Sequence, residues 1–243
     1  MVNEYLQRIG YDGPREPTLA TLRALHERHL LSVPFENLDI HWQRRIVADA
    51  DAFVDKIVRR RRGGFCYELN AAFAELLRAL GFDVTLLSAR VGEHAPPFDH
   101  MALLVRLGDG SRWLADVGFG ESFVQPLALD ERGEQHDPAG IFRIEPGDEW
   151  KVLSLHDGEW KTDYLFTLEP HALADFAQMC EWQQTAPESH FTKRRICSLL
   201  RPGGRVTLTN TKLITTRDGT REERDVHESE WDQLLAETFG ITR

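Results

Sequence analysis

Three side chains of the kinds that carry acyl chemistry stand in order along the chain: Cys66, His100 and Asp116. Cys66 follows Arg61-Arg62-Gly63-Gly64-Phe65 and opens an apolar run in which Leu69, Phe73, Leu76, Leu77 and Leu80 recur at helical spacing, with Gly81 as the stop. The two glycines are expected to end the arginine-rich helix before them and turn the chain sharply. A cysteine at a helix start lies among unpaired N–H groups at the positive end of the dipole, which favours thiolate over thiol. Such a nucleophile needs a base. His100 opens a strand-like run, Met101 to Leu107, and a second run, Trp113 to Val117, carries Asp116 after Gly108-Asp109-Gly110. Cysteine, histidine and aspartate in these places are a nucleophile, its base and the group that orients the base.

Each residue alone has a blander reading. A cysteine is more often a small buried hydrophobe than a nucleophile, a lone histidine at a strand start is usually structural, and an aspartate before a glycine turn is usually a cap. Hairpin register decides whether the histidine and aspartate can meet. A two-residue turn at Asp109-Gly110 pairs Leu103 with Asp116 and sends His100 to the opposite face. A three-residue loop with Gly110 left-handed sets Asp116 opposite Ala102 and His100 opposite Gly118, on one face and within diagonal reach. The chemistry requires the second register.

The elements around these residues divide by period. Residues 1–81 read as helices, with Asn3, Thr18 and Asp49 as caps and Leu19, Leu22, Leu25 and Leu30 near one face of the second. Pro34 ends that helix, so Val33 to Ile40 reads as an apolar loop with acids in it. From Val84 onward short β-branched and aromatic runs alternate with turns, as in an antiparallel barrel or sandwich. Pro170 reads as the start of a helix carrying Leu173, Phe176 and Cys180. Three more strand-like runs, Arg195–Leu200, Val206–Asn210 and Lys212–Thr216, precede a last helix from Ser229 to Phe239.

Composition narrows the function. The chain has 243 residues, 42% hydrophobic and 28% charged, as expected of a globular protein with a sizeable core. A net charge of −10 leaves no basic surplus for nucleic acid or an anionic membrane. No apolar run approaches a membrane span and the N-terminus lacks a signal peptide's apolar core. The three scattered cysteines suit a reducing cytoplasm. The cysteines lack zinc spacing and no His-x-x-x-His pair lies on a helix, so no metal is expected, and neither a phosphate-loop nor a dinucleotide fingerprint occurs. The Arg59–Arg62 run reads as a helix C-terminus with one internal ion pair, Arg62 to Glu36.

Taken together, Arg62-Gly63-Gly64-Phe65-Cys66-Tyr67-Glu68-Leu69-Asn70, Val33-Pro34-Phe35-Glu36-Asn37-Leu38, His100-Met101, Asp116-Val117-Gly118-Phe119-Gly120 and Ser189-His190-Phe191 resemble the arylamine N-acetyltransferases over nearly the whole chain. The resemblance implies an α+β fold with a cysteine-protease-like catalytic core. Its parts would be an N-terminal helical bundle (1–81), an antiparallel β-barrel with a connecting helix (82–183) and a C-terminal α/β lid (184–243). It implies acetyl-CoA as co-substrate, an arylamine, arylhydrazine or arylhydroxylamine as acceptor, and a Cys66–His100–Asp116 triad working through an acetyl-cysteine. Phe35, Val91, Phe119, Gly120 and Phe191 would line the acceptor cleft, and backbone N–H groups near Cys66 and in the Gly118–Gly120 turn would hold the oxyanion. The same triad could also serve a macrolactam-forming amide synthase or a hydrolase or transglutaminase-like enzyme. A binding module with a structural cysteine is the non-enzymatic alternative.

Overall fold

Residues 1–92 and 94–243 are described by the structure, a computed structural model; Glu93, inside the Gly92–Asp99 loop, lies outside them. The N-terminal third is helical, as its periodicity predicts: α1 (Val2–Arg8), α2 (Leu19–Ser32), α3 (Leu38–His41), α4 (Ala50–Val54), which runs on as a π-helical turn Asp55–Arg59, and α5 (Cys66–Ala79). Thr18 and Asp49 cap as expected, their side-chain oxygens accepting from Thr21 N and Ala52 N. Asn3 does not; it lies inside α1, which starts directly after Met1. Helix α5 is buried on almost every side, with Leu69, Phe73, Leu76 and Leu77 fully out of water, and packs against α1, α4 and the first two barrel strands.

Two local expectations in this region change. The chain leaves the π-helical turn through Arg61, at φ 52°, and not through the glycines that follow. What demands glycine there is proximity: a Cβ on Gly63 would stand 1.9 Å from the Pro34 carbonyl oxygen. The Val33–Ile40 segment is not a loop either. Phe35–Glu36 forms β1, and Leu38 begins α3. A two-residue strand carries no readable period, and its partner lies in the C-terminal part of the chain.

Eight antiparallel strands form the central sheet: β2 (Asp83–Arg90), β3 (His100–Arg106), β4 (Arg112–Ala115), β5 (Leu127–Ala128), β6 (Gln135–Asp137), β7 (Gly140–Glu145), β8 (Trp150–His156) and β9 (Glu159–His171), in the order β5-β4-β3-β2-β9-β8-β7-β6. The sheet curls into a nearly closed barrel. Across the gap, the Gln135 side-chain amide takes Ala128 N–H on its oxygen and donates to Ala128 O, so a side chain continues the ladder between the two edge strands. Alternation along β3 serves two cores: Met101, Leu103 and Val105 face the helices, while Ala102 and Leu104 face the barrel interior.

Strand β9 runs through Pro170 to His171, so the expected helix starts later, as a 3₁₀ turn Leu173–Phe176 continued by α6 (Ala177–Thr185). After α7 (His190–Lys193) comes a five-stranded sheet of order β1-β10-β11-β12-β13, from β10 (Ile196–Arg201), β11 (Gly204–Thr209), β12 (Lys212–Arg217) and β13 (Thr220–Asp225). Strand β13 escapes sequence reading because Thr220-Arg221-Glu222-Glu223-Arg224-Asp225 is exposed throughout and has no apolar alternation. Helix α8 (Glu228–Phe239) covers this sheet with Trp231 and Leu235 against Cys197 and Leu208.

Candidate active site

The hairpin of β3 and β4 adopts the register that the chemistry requires. Leu103 pairs with Ala115 and Arg106 with Arg112. Leu107 N donates to Ser111 O, and Gly108-Asp109-Gly110 form the loop, with Gly110 left-handed at φ 85°. Continued one residue, that pairing sets Asp116 opposite Ala102 and puts His100 on its face. His100 Nε2 lies 2.6 Å from Asp116 Oδ2, both side chains buried.

Asp116 is held from every side. Its Oδ1 accepts from Asn70 Nδ2 (2.8 Å) and Gly118 N (2.9 Å). Its backbone N donates to His26 Nε2 (3.0 Å), and because His26 Nδ1 faces the Val124 carbonyl at 2.8 Å, that ring must be neutral with its proton on Nδ1. Burial pushes the Asp116 carboxyl up, but the charge and hydrogen bond of His100, with Asn70 and Gly118, outweigh it and hold the group below the usual carboxylate range.

Cys66 enters this constellation through its helix. Asn70, one turn along α5, donates to Met101 O (2.6 Å) as well as to Asp116, and its own oxygen takes Val117 N (2.9 Å). A Cβ on Gly118 would meet Cys66 Cα and Cys66 O at 2.9 Å, so the Asp116–Gly118 turn lies directly on the backbone of Cys66. Tyr67 donates its hydroxyl to Phe98 O (2.7 Å) and Asp99 O (3.2 Å), fixing the segment that enters His100. Among the described residues no hydrogen bond joins the Cys66 sulfur to His100. Burial pushes the Cys66 thiol well up, the Asp99 and Asp116 charges push the same way, and a hydrogen bond from Met101 N–H pulls back. Burial thus works against the thiolate that the helix start favours.

The aromatic residues gather in two groups. Phe119 packs edge-on to His100 with centroids 5.3 Å apart, and Tyr164 closes on both rings at 5.1 and 5.2 Å. Phe191 packs against Phe35 (6.2 Å) and Phe65 (5.6 Å), and a Cβ on Gly120 would be 3.7 Å from the Phe35 ring. Phe35, Phe119 and Phe191 are half-buried. Val91 stands apart, 46% exposed, its N–H on Asp99 Oδ2. Gly118 N–H is committed to Asp116, which removes it from the oxyanion donors expected of the turn. A cavity of about 740 Å³ begins at Glu121 and Ser122, directly after Gly120, between the barrel and the second sheet. Among the described residues no group of three His, Cys, Asp or Glu side chains is arranged to hold a metal ion.

Sequence reading assigned no role to Asn70, His26 or Tyr164. Asn70 did leave a signal, as an amide four residues after Cys66 on an otherwise apolar helix face. The others act through contacts between distant segments, which no local pattern announces.

A family model described as N-acetyltransferase matches residues 18–242. The chain is similar to the arylamine N-acetyltransferase of Escherichia coli (strain K12), at 35% identity over 99% of this chain and 89% of that protein. Among solved structures it is similar to the arylamine N-acetyltransferase of Salmonella typhimurium, with TM-score 0.93, 34% identity, and 99% and 90% of the two chains covered. It is also similar to the Mycobacterium marinum arylamine N-acetyltransferase solved in complex with CoA, with TM-score 0.92, 30% identity, and 99% and 93% covered. No helix among the described residues is long and apolar enough to cross a membrane.

Proposed function

The chain belongs to the arylamine N-acetyltransferase family, and on that premise we propose that it moves an acetyl group from acetyl-CoA to an arylamine, arylhydrazine or arylhydroxylamine nitrogen through an acetyl-Cys66 intermediate. The observation that carries the mechanism is the 2.6 Å contact of His100 Nε2 with Asp116 Oδ2. An ionised carboxylate only accepts, so Nε2 keeps its proton and the lone pair is left at Nδ1. Nδ1 takes the Cys66 proton, and Asp116 stabilises the imidazolium that results. The sulfur attacks the thioester carbonyl, and coenzyme A leaves with the proton returned from His100. The acceptor amine then attacks acetyl-Cys66, gives its proton to His100 and releases the cysteine. Phe35, Phe119 and Phe191, with Gly120 and Val91 at the margin, would bind the flat ring and keep water from the thioester. The cavity beside Glu121 offers the long donor room. The three-part division at 81/82 and 183/184 and a cytoplasmic location belong to the same reading, the latter supported by three free, buried cysteines.

Mass spectrometry after acetyl-CoA alone should find one acetyl group, on Cys66, and none in Cys66→Ser. Adding an arylamine should discharge it. An unmodified Cys66, or coenzyme A release at full rate without acceptor, would overturn the proposal in favour of a hydrolase or a binding protein.

A further inference from the structure

Asp99 is the residue before His100, and its carboxylate is tied in two directions. Oδ2 accepts from Val91 N (3.3 Å), and Oδ1 accepts from Gln183 Nε2 (2.7 Å) on α6. Gln183 is 5% exposed. The other end of its amide, Oε1, accepts from Ser189 Oγ (3.0 Å), whose hydroxyl also reaches Gln183 O (2.7 Å). Ser189 Oγ in turn accepts from Phe191 N (3.1 Å) at the head of α7. An unbroken hydrogen-bonded chain thus runs Val91–Asp99–Gln183–Ser189–Phe191. It begins at exposed Val91, passes through the neighbour of the catalytic base and ends at Phe191. The amide suits it by polarity: one end must donate to a carboxylate and the other must accept from a hydroxyl.

We infer that Asp99 and Gln183 are positioning residues of the acetyl-transfer site, fixing the Phe191 wall of the acceptor cleft relative to His100. The inference rests on the reading of Cys66 and His100 as the reacting pair. Asp99 adds a charge effect of its own. Its carboxylate faces His100 and His190, and Cys66 lies in the combined field of Asp99, Asp116 and Cys180. An anion there makes Cys66 hold its proton more tightly.

The whole chain tests this. In Asp99→Asn, the pH profile for Cys66 alkylation by iodoacetamide should move to lower pH, by about one unit. In Gln183→Leu, KM for an arylamine should rise about tenfold while single-turnover acetylation of Cys66 by acetyl-CoA stays within about twofold; misplaced positioning groups cost rates of this order or more. In Gln183→Glu, a protonated side chain still donates to Asp99 and accepts from Ser189, so the acceptor KM should approach wild type at pH 6 and rise toward pH 8. An unmoved alkylation profile together with unmoved KM values would overturn the inference. So would equal loss of donor-side and acceptor-side steps, the mark of a merely structural role. Wild-type protein that fails to acetylate Cys66 would instead sink the acetyltransferase mechanism, since the alkylation shift needs no turnover.

Discussion

At the scale of single residues the site depends on closeness more than on reactive groups. Gly118 shows why: a Cβ there would stand 2.7 Å from Asn70 Nδ2 and 2.9 Å from two backbone atoms of Cys66. Its φ is not left-handed, so alanine fits the local backbone and the whole cost is displacement of α5 from the Asp116 turn. Gly118→Ala is expected to remain folded, losing about 1–3 kcal/mol to overpacking. Acetylation of Cys66 should slow about 100-fold, the order that a displacement near 1 Å costs. Rapid-quench mass spectrometry reads the rate; an undiminished rate would mean that the Asp116–Cys66 spacing is not critical. The meeting of His100 with Asp116 was legible because it follows from one hairpin, and the place of Cys66 because it follows from one helix start. The contact of His26 was not: that it holds the Asp116 backbone depends on α2 lying against the Asp116 and Val124 segments, a fact of tertiary packing.

At the scale of elements, a buried charge cluster ties together pieces that share little else. Glu36 on β1, Asp39 on α3, Lys56 on the π-helical turn, Arg62 after it and Glu68 on α5 are all nearly inaccessible to water. Arg62 meets Glu36 at 2.6 Å and Asp39 at 3.1 Å; Lys56 meets Glu68 at 2.7 Å and Asp39 at 2.8 Å. Glu68 also takes Phe65 N–H at 3.2 Å, so the cluster anchors the start of the cysteine helix. The Arg62–Glu36 pair was readable as a cation next to a conspicuous acid. Lys56 and Glu68 were not, because a lysine and a glutamate on helices ordinarily face solvent. The cluster holds two cations and three carboxylates, so its members are not equivalent. Lys56→Met leaves three carboxylates with one cation and should cost about 3–5 kcal/mol. Glu68→Gln has one acceptor oxygen for two donors, Phe65 N–H and Lys56 Nζ, but balances the remaining charges, so it should cost less than Lys56→Met, about 1–3 kcal/mol. Urea unfolding at pH 7 measures both, and equal costs would mean that the cluster's charge balance does not matter.

At the scale of the molecule, sequence period separated helical bundle from barrel because each keeps its own repeat over many residues. It failed where one part borrows from another, as β1 does in joining the C-terminal sheet, and where a strand such as β13 has no buried face. The same interlocking makes the fold sensitive to acid through α2. His26 and His29 are fully buried, and burial lowers both below the usual histidine value. A second proton on His26 would have to face the Asp116 N–H, while among the described residues His29 has only the Tyr5 hydroxyl on Nε2 and no partner at Nδ1. In the unfolded chain both take protons near pH 6.5. Below that pH the unfolded state binds more protons, so their contribution is complete above about 6.5 and is lost as pH falls, by up to about 1.4 kcal/mol per pH unit for each ring. Glu68 works the other way. Burial pushes it up to about 7, so its contribution is complete below its unfolded value near 4.5 and is lost as pH rises through 7. Half-buried His41, also lowered by burial, sides with the other histidines. Asp99 and Asp163, raised by burial, side with Glu68; with His26, His29 and His41 on the other side, folding free energy is expected to fall between pH 6 and 5. His29→Gln still offers Tyr5 a partner and cannot titrate, so it should flatten that slope, whereas Glu68→Gln should steepen it. Urea unfolding midpoints for the three proteins at pH 7, 6 and 5 decide the matter, and a wild-type stability that holds or rises on acidification would show that the buried rings of α2 do not control it.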